Sequence, residues 1–458
     1  MRSGRQRQCR LPPGAGLCNL RYAILSRQGL GELIGVTMDE RPQPGAWGVT
    51  ALIFLLMVIN FADKAVLGLA AKPMMDELGL SPEQFGLLGS VFFLLFPVSA
   101  VLVGFASNRR PARGMLLAMA IAWTAIQFPL LGPVTFGMLI ANRVLLGVAE
   151  GPAYPVAMHA LYKWFPDSLR ALPTALVAQG SSFGVIVAVP LLNAIIVHFS
   201  WHWAFAALGV VGLAWSVAWF FLGREGTLTD GPDGTEQRPV PYRELLLLPT
   251  IVATCVVGFS AFWGLSLLLT WLTAYLVEGL KFSQSIGGTL SVLPWLAGAV
   301  GVLAGGTISQ VLKTRGYSSR VSRGAFPCAA IMLGGGLMLF VGVPDTAWLK
   351  IALLVAGSAL GGTIFVVVPI IVSELTPQPQ RAAMLAIVNS IMTLGGVAAP
   401  LVMGVVLQSA ASPLAGYDRG FLILGLLQIG CGVIGLLLIR PEVDAPRVQR
   451  SADRASRR

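Results

Sequence analysis

Twelve apolar blocks of about 20 residues divide this 458-residue chain, and nothing else narrows its fold so far. They run at about 47–72, 84–106, 113–131, 134–158, 172–197, 201–222, 249–277, 284–312, 324–343, 347–372, 382–408 and 418–440. A bilayer core of about 30 Å takes about 20 helical residues, so each block has the length of a span. Charge is correspondingly scarce. Only 12% of residues are charged and mean hydropathy is +0.76, against about 25% charged in a soluble domain. That argues against a soluble enzyme, a nucleic-acid binder and a disordered scaffold together. The blocks lack the short alternating segments of a membrane β-barrel, and the 53 glycines suit close helix contact. The expected fold class is an all-α polytopic membrane protein with twelve transmembrane helices in two six-helix halves.

The net charge of +11 would ordinarily suggest nucleic acid. Sorted by loop, it reports topology instead. Of 32 Lys and Arg residues, 26 fall in the tails and in the loops after even-numbered spans. Lys72, Lys281, Lys350 and Arg419 lie on the opposite face, and Lys64 and Arg143 lie inside spans. Such asymmetry follows the positive-inside rule and predicts both termini cytoplasmic, in a bacterial-type inner membrane. No nucleic-acid partner is expected.

The polar breaks set the expected domains. Residues 1–46 form an Arg-rich cytoplasmic tail without the h-region of a signal peptide. Met38 is an alternative start. A six-helix bundle over 47–222 precedes a linker at 223–248, which carries five acidic and three basic residues. A second bundle covers 249–440, and 441–458 is a basic cytoplasmic tail. Two such halves rocking about a midplane site are a known transporter plan. The cysteines Cys9, Cys18, Cys255, Cys328 and Cys431 and the histidines His159, His198 and His202 show no metal-ligand spacing. Neither metal nor cofactor is expected, and no Walker loop suggests ATP.

Ionisable residues deep in a span are expensive and therefore functional hypotheses. Asp63 and Lys64 lie in VINFADKAVLGLA of the first span. Neighbouring helical positions differ by about 100°, so they face different partners. Arg143 and Glu150 lie in NRVLLGVAEGPAYPV, about two turns apart on one face. The Gly-Pro and Tyr-Pro steps at 151–155 should break the helix there, as is tolerated beside a cavity. Tyr154 follows Glu150 by one turn. An apolar setting and nearby cations act oppositely on a carboxylate, so Asp63 and Glu150 can exchange protons while the cations hold an anion. The alternatives are a static ion pair, a snorkelling lysine and a structural kink.

Softer candidates for a carboxylate-sized cavity are Gln179, Asn389, Trp271 and Tyr275. Buried amides equally serve helix contact, and Trp and Tyr equally serve the interfacial belt. The loops WFPDSLRA at 164–171 and TPQPQRA at 376–382 each place an arginine just before the next span. Arg109, Arg113, Arg170 and Arg381 are candidates for a cytoplasmic gate or for plain topological anchoring.

These residues resemble the major facilitator superfamily, in its anion:cation symporter branch, over about 47–440. RVLLGVAEGPAYPVAMHALYKWFPDSLRA at 143–171 is the most specific string, joined by VINFADKAVLGLA, TWLTAYLVEG and SELTPQPQRAAMLAIVNS. The resemblance implies that Asp63 and Glu150 couple protons and that Arg143 tunes Glu150. It implies that Lys64 stands where a substrate-binding arginine is usual, and that Gln179 and Asn389 touch substrate. Several positions depart from the pattern. Lys64 lacks the planar fork of arginine, and Phe61 lacks the hydroxyl of the usual tyrosine. Asn108, Pro111 and Gln310 replace the Asp, Gly and Asp of the cytoplasmic loop patterns.

The expected function is uptake of a small carboxylate, a sugar acid or an aromatic or hydroxy acid, driven by the proton gradient and carried out by a monomer in the lipid bilayer. Proton-coupled export is the alternative within the class. A non-transporting sensor or a membrane-embedded enzyme is the alternative outside it.

Overall fold

A computed structural model describes residues 42–107, 110–166, 169–228 and 239–456. The first 41 residues, with the Met38 start, and Asn108 and Arg109 lie outside the described residues. Every described element is helical. Among them, 11 helices are long and apolar enough to cross a membrane.

In chain order the helices are α1 Ala46–Leu69, α2 Ala71–Leu78, α3 Pro82–Ser107, α4 Ala112–Gln127, α5 Phe136–Glu150, α6 Ala153–Tyr162, α7 Ala171–His198 and α8 Trp201–Leu222. Then come α9 Tyr242–Leu246, inside the expected linker at 223–248, and after it α10 Pro249–Ala274, α11 Gln284–Leu290, α12 Leu293–Thr314, α13 Phe326–Leu339, α14 Ala347–Gly361, α15 Thr363–Leu375, α16 Arg381–Gln408, α17 Pro413–Leu438 and α18 Pro441–Ser456.

Of the twelve expected blocks the fourth is the one absent from those eleven, some of which are themselves two successive helices, as with Ala347–Leu375. The fourth block is divided between α5, of 15 residues, and α6, of 10 residues. The division falls at Gly151 and Pro152, where proline supplies no N–H to the helical ladder. Helix starts are set by local chemistry. Ser81 and Gln84 exchange hydrogen bonds as a capping box before α3. The Thr135, Ser283 and Ser412 side chains accept from the first turns of α5, α11 and α17.

The tail beyond Arg440, read as a basic extension, is the docked helix α18. Its Asp444 is 2% exposed, and its carboxylate accepts from the Thr250 backbone N–H at 3.1 Å, at the start of α10. Glu442 accepts from the backbone N–H of Arg320, and Ser451 bonds Glu244.

Helices before and after the linker meet tightly at one end. There α3 packs along α16, and α1 along α10. A Cβ on Gly68 would lie 2.1 Å from the Leu269 carbonyl oxygen, and one on Gly86 would lie 2.4 Å from that of Pro400. Polar bonds seal the same end. Gln284 Nε2 donates to Leu69 O at 3.0 Å and to Asn193 Oδ1 at 3.2 Å, while Asn193 Nδ2 donates to Ser285 O at 3.1 Å. Lys72 Nζ lies 3.5 Å from Glu278 Oε1 and also pairs with Asp76. At the opposite end, two groups of bonds among the described residues run inside each set. Glu225 ties the linker to Lys163, Arg113 and Ala112, and Gln380 ties Val240 to the second set.

Candidate functional site: a buried charge cluster

The functional geometry begins with the adjacent pair on α1. Asp63 is 1% exposed and Lys64 8% exposed, and they turn to different helices as their 100° separation requires. Asp63 Oδ1 accepts from Gln127 Nε2 of α4 at 3.0 Å. Lys64 Nζ reaches Glu150 Oε2 of α5 at 2.6 Å. One turn earlier on α1, Asn60 completes the arrangement. Its Nδ2 donates to the same Glu150 oxygen at 3.0 Å, while its Oδ1 and backbone carbonyl accept from Lys64 Nζ.

An ammonium has three N–H donors, and Asn60 O, Asn60 Oδ1 and Glu150 Oε2 account for all three. Three rings surround that ammonium. Nζ stands 4.9 Å from the Phe61 centroid and 5.6 Å from those of Phe92 and Phe96, within cation–π range. The close approach of α5 to α3 supports this packing. A Cβ on Gly147 would meet the Phe92 carbonyl at 2.0 Å.

Arg143 is placed differently. It is 2% exposed, and its guanidinium stands over the Phe205 ring at 5.3 Å. Among the described residues its Nε and Nη2 have no hydrogen-bond acceptor, and Glu150 Oε1, Gln127 Oε1 and Asn142 Oδ1 also lack partners. Buried polar groups are normally paired, so four unsatisfied side chains on neighbouring helices mark a polar site inside an apolar bundle. A narrow cleft of about 10 Å³, room for about one water molecule, opens beside it, lined by Lys64 and Arg143 together with Phe92, Phe93, Leu269 and Thr270. Helices α1, α3, α5 and α10 therefore all face it.

The remaining candidates lie elsewhere. Trp271 and Tyr275 are 1% and 0% exposed, in the packing seam of α10 with α16 and α17. Trp271 Nε1 donates to Pro400 O at 3.0 Å. The Tyr275 ring packs against Tyr417 and Phe421. Tyr154, on α6 beyond the break, is 43% exposed. Gln179 is half-buried on α7 and Asn389 exposed on α16. None of these five lines the cleft around Lys64 and Arg143.

Arg113, Arg170 and Arg381 bond within their own surroundings. Arg113 Nη2 donates to Phe220 O at 2.6 Å. Arg170 donates to Phe165 O and Tyr162 O, both at 3.0 Å, and Arg381 donates to Thr376 O at 3.2 Å. Arg109 lies outside the described residues.

The sequence reading missed Asn60, Gln127 and Asn142. Each is a polar side chain within an apolar block, the same signal that singled out Gln179. It also missed that Lys350 is 3% exposed and pairs with Asp418 at 3.0 Å.

Two groups outside the spans carry informative electrostatics. Burial raises the Glu225 carboxyl. The Lys163 ammonium at 2.6 Å and the Arg113 and Ala112 backbone N–H groups outweigh this and hold it below its ordinary value. Burial lowers the Lys72 ammonium, but Asp76 and Glu278 outweigh it and hold it above its ordinary value.

Relatives resemble this chain over nearly its full length. It is 26% identical over 410 residues to the hexuronate transporter of Bacillus subtilis (strain 168), covering 87% of this chain and 96% of the relative. It is 24% identical over 401 residues to the D-galactonate transporter of Escherichia coli O6:H1, covering 82% and 93%. In fold it matches a bacterial homolog of the human lysosomal transporter Spinster, solved in an inward-facing and unoccupied conformation. The TM-score is 0.75 at 15% identity, covering 88% of this chain and 99% of that one. The sequence profile of the Major Facilitator Superfamily matches residues 53–363 and 317–457. This chain belongs to the Major Facilitator Superfamily, a family of transporters rather than enzymes.

Proposed function

We propose that this protein is a secondary active transporter that couples proton movement to uptake of a small organic anion by alternating access. Counting α5 and α6 as one span, α1 to α8 and α10 to α17 form two halves of six spans each, over 47–222 and 249–440. The linker at 223–248 and both chain ends are cytoplasmic, in a bacterial-type inner membrane. The sealed end, where Gly68 meets Leu269, then faces outward, and the conformation is inward-facing. The functional unit is the monomer.

The observation that carries this reading is the buried ion pair of Lys64 and Glu150, 2.6 Å apart beside Arg143 at the cleft. A proton arriving at Glu150 cancels its charge and removes the counterion of Lys64. The freed ammonium then attracts an anion into the cleft. Conversely, an anion drawn to these cations favours protonation of Glu150, because linkage between two bound species is reciprocal. Asp63, held by Gln127, is the second carboxylate in the same field and the second proton site. The hexuronate and D-galactonate transporters that this chain resembles are named for carboxylates, which supports a carboxylate cargo. Gln179, Asn389, Tyr154, Trp271 and Tyr275 contribute as polar and aromatic contacts in other conformations of the cycle. The arginines at 109, 113, 170 and 381 belong to the cytoplasmic gate.

The test is purified protein in proteoliposomes with an inward proton gradient and a panel of radiolabelled carboxylates. Gradient-dependent accumulation of at least one, abolished by a protonophore, supports the proposal. Equilibration without gradient-driven accumulation of any of them refutes proton coupling.

A further inference from the structure

Asn60 joins the two charges of the buried pair and treats the two oxygens of Glu150 differently. It is 2% exposed and sits one turn before Lys64 on α1. Its Nδ2 donates to Glu150 Oε2 at 3.0 Å, and its Oδ1 accepts from Lys64 Nζ. Only this orientation of the amide fits. The reverse would set Oδ1 against a carboxylate oxygen and the NH2 group against an ammonium, which has donors only.

Glu150 Oε2 thus receives two donors, Asn60 Nδ2 and Lys64 Nζ, the latter at 2.6 Å. Among the described residues Glu150 Oε1 receives none. A proton on Oε2 would meet two N–H groups already directed at that oxygen. A proton on Oε1 leaves both bonds in place, and Oε2 becomes the carbonyl oxygen of the neutral acid. The charged groups facing this carboxyl are Lys64 and Asp63 from α1 and Arg143 from its own helix. Against α5, α3 brings Phe92, Phe96 and Ser99, and α4 brings Gln127 beside Asp63. None of these four titrates.

The same amide steadies the cation. With Glu150 neutral, Lys64 Nζ still has Asn60 Oδ1 and Asn60 O as acceptors, so it stays at the cleft without its counterion.

We propose that Asn60 is the positioning residue of the proton site: its amide reserves Oε2 of Glu150 and directs the incoming proton to Oε1. The O–H bond forms there with a proton from the aqueous phase, the carboxylate loses its charge, and no other bond breaks. This rests on the transporter reading above and names the atom that carries its proton.

Infrared difference spectroscopy of the purified full chain in detergent, titrated in pH with no carboxylate added, tests this. The carboxyl carbonyl band missing from Glu150→Gln belongs to protonated Glu150. With the proton on Oε1, the carbonyl is Oε2 and carries the Asn60 bond. Asn60→Leu is close in size and offers neither donor nor acceptor. Its Glu150 band should move to higher frequency, because the carbonyl has lost an N–H donor. The midpoint of that band should rise by about one pH unit, because an amide N–H holds a carboxylate about twice as strongly as a neutral acid. A residue that only filled space would move neither.

An unshifted frequency places the proton on Oε2, and an unshifted midpoint removes Asn60 from the site. Either overturns the proposal, as does the absence of a Glu150 band at every pH at which the chain is folded. The transporter reading fails on a different observation, the lack of gradient-driven accumulation of every carboxylate in proteoliposomes. Should Asn60→Leu fail to purify as monodisperse protein, Asn60→Asp decides. It is isosteric, keeps the acceptor for Lys64 and replaces the donor by a second carboxylate. The Glu150 midpoint, assigned against Asn60→Asp/Glu150→Gln, should then rise by more than about one unit, and no rise overturns the proposal.

Discussion

Replacing Gly68 by alanine should bias this transporter toward opening at its sealed end. Gly68 of α1 faces the backbone of α10. An added Cβ would lie 2.1 Å from Leu269 O, 3.0 Å from Leu269 C and 3.2 Å from Thr270 O. All three atoms are backbone, so no side-chain rotation relieves the contact. The seam must part by about 1 Å, and overpacking of this kind costs about 1–3 kcal/mol. The cost falls on the conformation in which α1 and α10 touch at this level. At about 1.4 kcal/mol per decade, the sealed population falls roughly 5- to 150-fold relative to the outward-open one. Thr270, 3% exposed behind the seam, is the reporter. In a cysteine-free background carrying Thr270→Cys, an impermeant maleimide applied from outside should label Gly68→Ala about tenfold faster than its parent. Turnover should fall in the same variant. Labelling and turnover both equal to the parent would refute the reasoning, because the seam would then relax without shifting the two conformations.

Three further outcomes follow from the same geometry. Glu150→Gln should abolish proton-driven accumulation while keeping counterflow exchange, since the neutral side chain mimics the protonated state. Loss of counterflow with survival of proton-driven uptake would exclude Glu150 from coupling. Lys72→Gln should raise the labelling of Thr270→Cys by less than about fivefold, because a half-exposed ion pair with Glu278 contributes about 0.2–1 kcal/mol. A larger rise than that of Gly68→Ala would make this pair, not the backbone seam, the main seal. Glu225, held below its ordinary value by Lys163 and two backbone N–H groups against the effect of burial, stabilises the fold above the ordinary carboxylate pKa and loses that contribution as pH falls through its lowered value. The melting temperature of the unmodified protein should therefore exceed that of Glu225→Gln at neutral pH, with the gap closing in acid. A gap independent of pH would contradict it.

Much of this architecture is legible in the sequence because its signals are local. Each span is a run of apolar residues, and the break at Gly151 and Pro152 follows from two adjacent residues. Asp63, Lys64, Arg143 and Glu150 stand out because charge is costly in such runs. Their pairing is another matter. Whether Glu150 meets Arg143, two turns away on its own helix, or Lys64 on another depends on the rotation and approach of α1 and α5. The Gly147 contact with Phe92 shows how closely the helices around that site are packed. No window of sequence contains that distance. The buried faces of Trp271 and Tyr275 are hidden for the same reason, since α10 is apolar on all sides. The helix α18 escaped because hydropathy reports only its charges. Its start was nonetheless signalled by Pro441 and by Glu442 and Asp444 in the first turn.

The most direct test of the central claim is whether protons enter with the anion. Proteoliposomes containing the purified protein are suspended in weakly buffered medium without an imposed gradient, and a transported carboxylate is added outside. Coupled entry predicts a transient rise in external pH that tracks uptake, disappears with a protonophore and is absent in Glu150→Gln. Uptake at an undiminished rate with no pH change, or uptake that requires sodium, would contradict proton symport through Glu150.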